Sequence, residues 1–81
     1  MPVGAFVLIE TEGGSARNVA RACRDLNLQE ADITRVSVVT GPYSVIVRLE
    51  ADDVHVLGRL LTDTLHSIPG VQHTVTCIEL E

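Results

Sequence analysis

The sequence predicts one α+β domain: a four-stranded antiparallel sheet with two helices packed on one of its faces, in the order β-α-β-β-α-β. Three observations predict it. Four runs of β-branched and aliphatic residues alternate at strand spacing, two segments between them repeat apolar residues at helical spacing, and Gly or Pro clusters mark the junctions. The chain has 81 residues, room for a single domain spanning 1–81, and its 46 % hydrophobic content supports a packed core rather than disorder. So short a domain buries only about 60–65 % of its unfolded surface and commonly gains stability from partners.

The first strand is Gly4–Glu10. Ala5, Val7 and Ile9 point one way and Phe6 and Leu8 the other, so both faces are apolar and the strand is central. Glu12-Gly13-Gly14-Ser15 is a turn, with Ser15 as N-cap of a helix carrying Ala16, Val19, Ala20, Cys23 and Leu26 on one stripe. Arg17, Arg21 and Arg24 lie elsewhere on its circumference, as a solvated face or a contact for an acidic partner or a neighbouring subunit.

Ile33–Thr40 and Ser44–Glu50 alternate on either side of Gly41-Pro42-Tyr43, the pattern of an antiparallel hairpin. Val36 and Val38 share a face opposite Arg35, Ser37 and Val39; Val45, Val47 and Leu49 share a face opposite Ile46 and Arg48. Asp52-Asp53 opens a second helix, whose stripe is Val54, Leu57, Leu61, Leu65 and Ile68, broadened by Leu60 and stopped by Pro69-Gly70. Val71–Leu80 is the last strand, with Val71, His73, Val75 and Cys77 on one face and Thr74, Thr76, Ile78 and Leu80 on the other.

This order is the ferredoxin-like split βαβ pattern. The helices cover one sheet face. The other is expected to hold Phe6, Leu8, Val39, Ile46 and Ile78, interspersed with Thr74, Thr76, Arg35 and Arg48. A mixed apolar face of that size should not stand bare in water. It packs on a second copy, binds a ligand, or does both.

Composition narrows the function classes. Net charge is −5, with 11 acidic residues against 6 arginines, which argues against direct nucleic-acid binding. One Phe and one Tyr make no stacking platform. No apolar run reaches the roughly 20 residues of a membrane span, and the opening residues lack a basic signal-peptide region. Cys23 and Cys77 show no CxxC spacing and read as small buried hydrophobes in a reducing cytoplasm.

Chemistry-bearing constellations are sparse. His55 and His66 lie roughly 16 Å apart along one helix and cannot share a metal, and His73 is on a strand, so no metal site is expected. Asp52 and Asp53 suit helix capping better than acid–base work. No serine sits in a GxSxG context, and the Gly13-Gly14 turn lacks a phosphate-loop pattern. What remains is the hairpin around Gly41 and the strand Thr74-Val75-Thr76, whose two hydroxyls project to one side.

At these residues the chain resembles the RAM domain, the amino-acid-sensing domain of Lrp/AsnC regulators. Val39-Thr40-Gly41-Pro42-Tyr43-Ser44-Val45-Ile46 is similar to that family's V-T-G-x-Y-D followed by apolar residues, and Ile68-Pro69-Gly70-Val71-Gln72-His73-Thr74-Val75-Thr76 matches its I-P-G-V-x-x-T-x-T. The opening Ala5–Ile9 also fits, so the likeness runs from about Gly4 to Leu80. The resemblance implies dimerisation through the open sheet faces, assembly of dimers into rings such as octamers, and effectors bound between dimers. Carried over, the ligand-binding residues are Gly41, Tyr43, Ser44, Thr74 and Thr76. Gly41 brings its backbone close to the ligand, and the threonines hydrogen-bond a carboxylate. The departure is Ser44, where the family commonly has Asp to pair an ammonium group. Losing a hydrogen bond to a charged group costs about 1.5–3 kcal/mol, enough to weaken an amino-acid ligand roughly tenfold to a hundredfold.

The family's regulators carry an N-terminal helix-turn-helix, and none precedes the first strand here, so a stand-alone form is expected. The expected function is a cytoplasmic, non-enzymatic module without cofactor. It senses an amino acid or related metabolite at subunit interfaces and modulates transcription indirectly, by changing assembly or by docking on a full-length Lrp/AsnC regulator. The alternatives are a pure oligomerisation module with a degenerate site and an enzyme of the dimeric α+β barrel type.

Overall fold

The computed structural model describes residues 2–81, without the side chains of Leu61 and Thr62. Its elements are β1 (Val3–Thr11), α1 (Ala16–Arg24), β2 (Ala31–Val38), β3 (Val45–Ala51), α2 (Val54–Leu60), a π-helical turn (Leu61–Leu65) and β4 (Val71–Ile78). The predicted βαββαβ order holds. The antiparallel sheet runs β2-β3-β1-β4, which makes β1 central and β2 and β4 edges.

One face of this sheet is the core. Ala5, Val7 and Ile9 of β1 meet Val45, Val47 and Leu49 of β3, and Val19, Ala20 and Cys23 of α1 and Val56, Leu57 and Leu65 of the second helical segment close over them. Burying these aliphatic chains, each worth about 1.5–3 kcal/mol, is the main favourable contribution to folding. β2 stays in phase through a bulge at Thr34. Ile33 lies opposite Leu49 and Val36 opposite Val47, so the extra residue keeps both on the core side.

The helix ends are built differently. Asp53 Oδ1 accepts from the Val56 N–H at 3.0 Å and caps α2 as expected. Ser15 occupies the N-cap position of α1 but makes no side-chain cap. It is instead a packing surface for Gly70, whose φ is +96°. A Cβ on Gly70 would sit 2.9 Å from the Ser15 Cβ and 3.2 Å from Val19 Cγ2. Gly70 thus supplies both a left-handed turn and a close approach.

Two expectations about the second helix need correction. Val54 is 50 % exposed rather than in the stripe. At 3.6 residues per turn it lies roughly 110° from the centre of the Val56, Leu57 and Leu60 face. The helix does not run as α to Ile68 either. Its i→i+5 turn sets Leu65 above Leu60 and back over the core, where a regular α-helix would have swung it outward. Leu61, assigned to the same stripe, lies outside the described side chains.

β4 requires the largest correction. Thr74, Thr76 and Ile78 lie opposite Ile9, Val7 and Ala5, so all three are on the helix side and not on the open face. The open face instead receives His73, Val75 and Cys77. The alternation grouped the residues correctly. Which group faces inward was not encoded, because both sets mix apolar and polar residues. The edge position leaves even Ile78 41 % exposed. Cys77 is exposed, not buried, while Cys23 is fully buried as expected.

Candidate functional site

Two regions outside the core carry polar groups in defined geometry. The first is the open sheet face. Leu8 stands between Ile46 and Val75, Phe6 between Arg48 and Cys77, and Arg35 beside Arg48. Arg48 is the hub. Its guanidinium donates to Glu79 at 2.9 Å and to Glu50 and the Thr34 hydroxyl at 3.0 Å each, and it lies 5.9 Å from the Phe6 ring centre. The Glu79 bond first, then the Glu50 bond, raise its pKa and keep it charged. A depression of about 190 Å³ opens on this face between Phe6, Ile46, Val39 and Ser37, with Arg35 and Arg48 on its rim.

The second region is the β2–β3 hairpin. The Val39 N–H donates to the Ser44 carbonyl at 2.9 Å, and the Ser44 N–H donates to the Ile9 carbonyl at 3.0 Å, so the loop is tied to its own base and to β1. Gly41 has φ +132° with open space where a Cβ would stand, so backbone conformation rather than crowding calls for glycine. The Ser44 and Thr11 hydroxyls share a 2.6 Å hydrogen bond. Tyr43, next to Ser44 in the sequence, is half-buried.

Of the five site residues read from the sequence, Gly41, Tyr43 and Ser44 sit together in this loop. Thr74 and Thr76 sit half-buried on β4, across β1 from β3. Thr74 and Val45 flank Ile9 on opposite sides, two strand spacings or roughly 10 Å apart. One protomer therefore separates the loop from the threonines. Thr11 was missed. Alternation gives no signal for it, because the β1 register shifts between Glu10 and Thr11. Glu79 was missed too, although it shares the parity of Cys77. His55, His66 and His73 are exposed and dispersed, and among the described residues no His, Cys, Asp or Glu group could hold a metal. No described helix is long and apolar enough to cross a membrane.

Comparison with known proteins fits this architecture. The family model described as the Lrp/AsnC ligand binding domain matches residues 4–81. TTHA0845 from Thermus thermophilus is 29 % identical with a TM-score of 0.85, over 98 % of this chain and 94 % of that one. AsnC of E. coli is 22 % identical with a TM-score of 0.84; 98 % of this chain aligns with only 51 % of AsnC. The Neisseria meningitidis transcriptional regulator NMB0573, solved as a complex with L-Met, is 21 % identical with a TM-score of 0.81, over 98 % of this chain and 50 % of that one. None of the curated proteins matches the chain.

Proposed function

The chain belongs to the family of Lrp/AsnC ligand-binding domains, and from that premise we propose that it is an effector-sensing and assembly module without catalytic activity. It binds an amino acid or related small metabolite where copies of the chain meet. It acts on transcription indirectly in the cytoplasm, through its own assembly into dimers and rings such as octamers or by docking on a full-length Lrp/AsnC regulator. The family match over residues 4–81 carries this reading.

Two features of the protomer support a shared site. The open face offers Phe6, Leu8, Ile46 and Val75 around the Arg48 ion pairs, a surface suited to a second sheet. The hairpin and the β4 threonines are separated by β1 within one chain, so a ligand touching both takes the loop from one copy and the strand from another. Ser44 and Thr11 then contribute neutral hydroxyls, Gly41 an unobstructed backbone, and Thr74 and Thr76 donors for a carboxylate. The L-Met complex of NMB0573 makes amino acids the first ligand class to test.

Titration calorimetry with each of the twenty amino acids is that test. A saturable heat is expected from at least one, with an accompanying change in mass by light scattering. No heat from any of them defeats the amino-acid part. A second reading, assembly alone with a vestigial pocket, is favoured by one observation: the uncharged Ser44 hydroxyl is already bonded to Thr11. Ser44→Asp separates the two readings. Amino-acid binding that appears only in this variant assigns the native protein to assembly alone.

A further inference from the structure

Of the six arginines, Arg48 and Arg59 hold every ion pair among the described residues. Arg17, Arg21 and Arg24 hold none. All three are exposed on α1, at positions i, i+4 and i+7, so they form one stripe roughly 10 Å long. Their placement costs the protomer stability. Like charges three and four residues apart repel, and Arg17 stands in a first turn without an acidic residue, where the helix dipole also opposes it. A chain with 11 acidic residues leaves this stripe unneutralised.

The stripe has an apolar companion. Arg24 reaches from α1 to the edge strand, donating a 3.4 Å bond to the Val36 carbonyl, so this flank of the helix looks out over β2. A crevice of about 370 Å³ lies there, between the end of α1 and β2, walled by half-buried Leu26, Leu28, Ile33 and Val36. Val38, on the same side of β2 by its register with Val45, is 39 % exposed. The helix layer thus stops short of the sheet edge and leaves an apolar strip beside the arginines. The bulge at Thr34 spoils the β2 edge as a template for an added strand, so the surface suits a helix instead.

We propose that this flank docks an acidic amphipathic helix of another protein, laid beside α1 over the β2 edge. Aliphatic side chains on one stripe of that helix cover the strip from Leu28 to Val38. Carboxylates on the neighbouring stripe, at the same i, i+4, i+7 spacing, pair with Arg17, Arg21 and Arg24. Charge and shape select this occupant. Nucleic acid also seeks arginines, but a chain of net charge −5 with no aromatic side chain in the crevice wall repels phosphate and offers no stacking surface. A second copy does not supply the helix, since α1 is itself basic and α2 has no acidic residue between Val54 and Leu60. The surface lies on the helix side of the sheet. It stays free when copies pair through their open faces and does not depend on that pairing.

Fluorescence anisotropy tests it with a labelled synthetic helix of about 20 residues that carries adjacent leucine and glutamate stripes. Saturable binding is expected, weakening as salt rises. Arg21→Glu should weaken it roughly fivefold to tenfold, whereas Arg59→Glu, the same charge change on α2, should alter it less than about twofold. Both side chains are exposed, so circular dichroism should report an unchanged fold. The same peptide with serine in place of leucine should bind at least about tenfold more weakly. Phe6→Asp, on the open face, should bind the peptide as the parent does. No binding, equal effects of the two charge reversals, or equal affinity for the serine peptide overturns the proposal. Loss of binding in Phe6→Asp overturns it too, by moving the peptide to the open face. So does tighter binding of a single-stranded oligonucleotide that Arg21→Glu abolishes, which would make the stripe a phosphate contact.

Discussion

The two faces of this sheet are made from the same four strands and behave as different materials. On the helix side, Val7, Ile9, Val45, Val47 and Leu49 are at most 1 % exposed, and among the described residues no polar side chain is buried. On the open side, Phe6 is 36 % exposed and stands beside a three-residue ion-pair cluster. Alternation along each strand sends successive residues to opposite faces, so a single pattern specifies a buried interior and a partly apolar outer face together. The difference teaches where each kind of substitution should be felt. The helix side sets whether the protomer folds, and on the proposed function the open side sets what the folded protomer meets.

Several substitutions can break or sharpen this division, beginning with the most damaging. Leu57→Ala empties a site that is 2 % exposed beneath the sheet and should cost about 2–5 kcal/mol in denaturant unfolding, whereas Phe6→Ala should change the stability of a dilute protomer by less than about 1 kcal/mol. Equal losses would erase the distinction. Next, Gly70→Ala should destabilise by about 1–3 kcal/mol, since it adds a Cβ against Ser15 and Val19 at a left-handed φ. A neutral result would show that the α1–β4 junction yields easily.

The cysteines report the two faces without altering either. Burial pushes the Cys23 thiol up to about 11, against a smaller lowering by Arg24, while Cys77 is exposed on the open face. Maleimide at neutral pH should therefore label Cys77 at least about tenfold faster. Labelling of Cys77 should also slow as protein concentration rises, if copies close over that face. Concentration-independent labelling would place Cys77 outside any interface.

The smallest effect is expected at the α2 cap. The Val56 N–H, more than any other contact, holds the Asp53 carboxyl below its usual 3.8. A folded pKa below the unfolded one means the cap stabilises fully above that usual value and is lost as pH falls through the lower folded value. Asp53→Ala should lower Tm modestly at pH 7 and less at pH 3. An equal drop at both would mean that the charge contributes nothing.

Much of this molecule was legible because local and global signals agree. The Val45–Glu50 alternation, the Gly41-Pro42 break and the Asp53 cap each point to the element that forms. The failures share a cause, which is that tertiary packing decided between locally equivalent choices. Thr74, Thr76 and Ile78 were grouped correctly but assigned to the wrong face, because an edge strand with two mixed faces has no strong preference. The Thr34 bulge and the π-helical turn each insert one residue to keep apolar positions in phase, and alternation alone does not announce an insertion. In the candidate site, the hairpin motif was readable as a string. The Thr11–Ser44 hydroxyl bond was not, since it joins residues 33 positions apart.

The central claim is that the open face is an interface between copies. Light scattering across a dilution series, on the parent chain and on Phe6→Asp, tests it most directly. The account predicts at least twice the chain mass for the parent and a single folded chain for the variant. A parent that stays at one chain mass at every concentration, with Phe6 and Leu8 left to solvent, would contradict it.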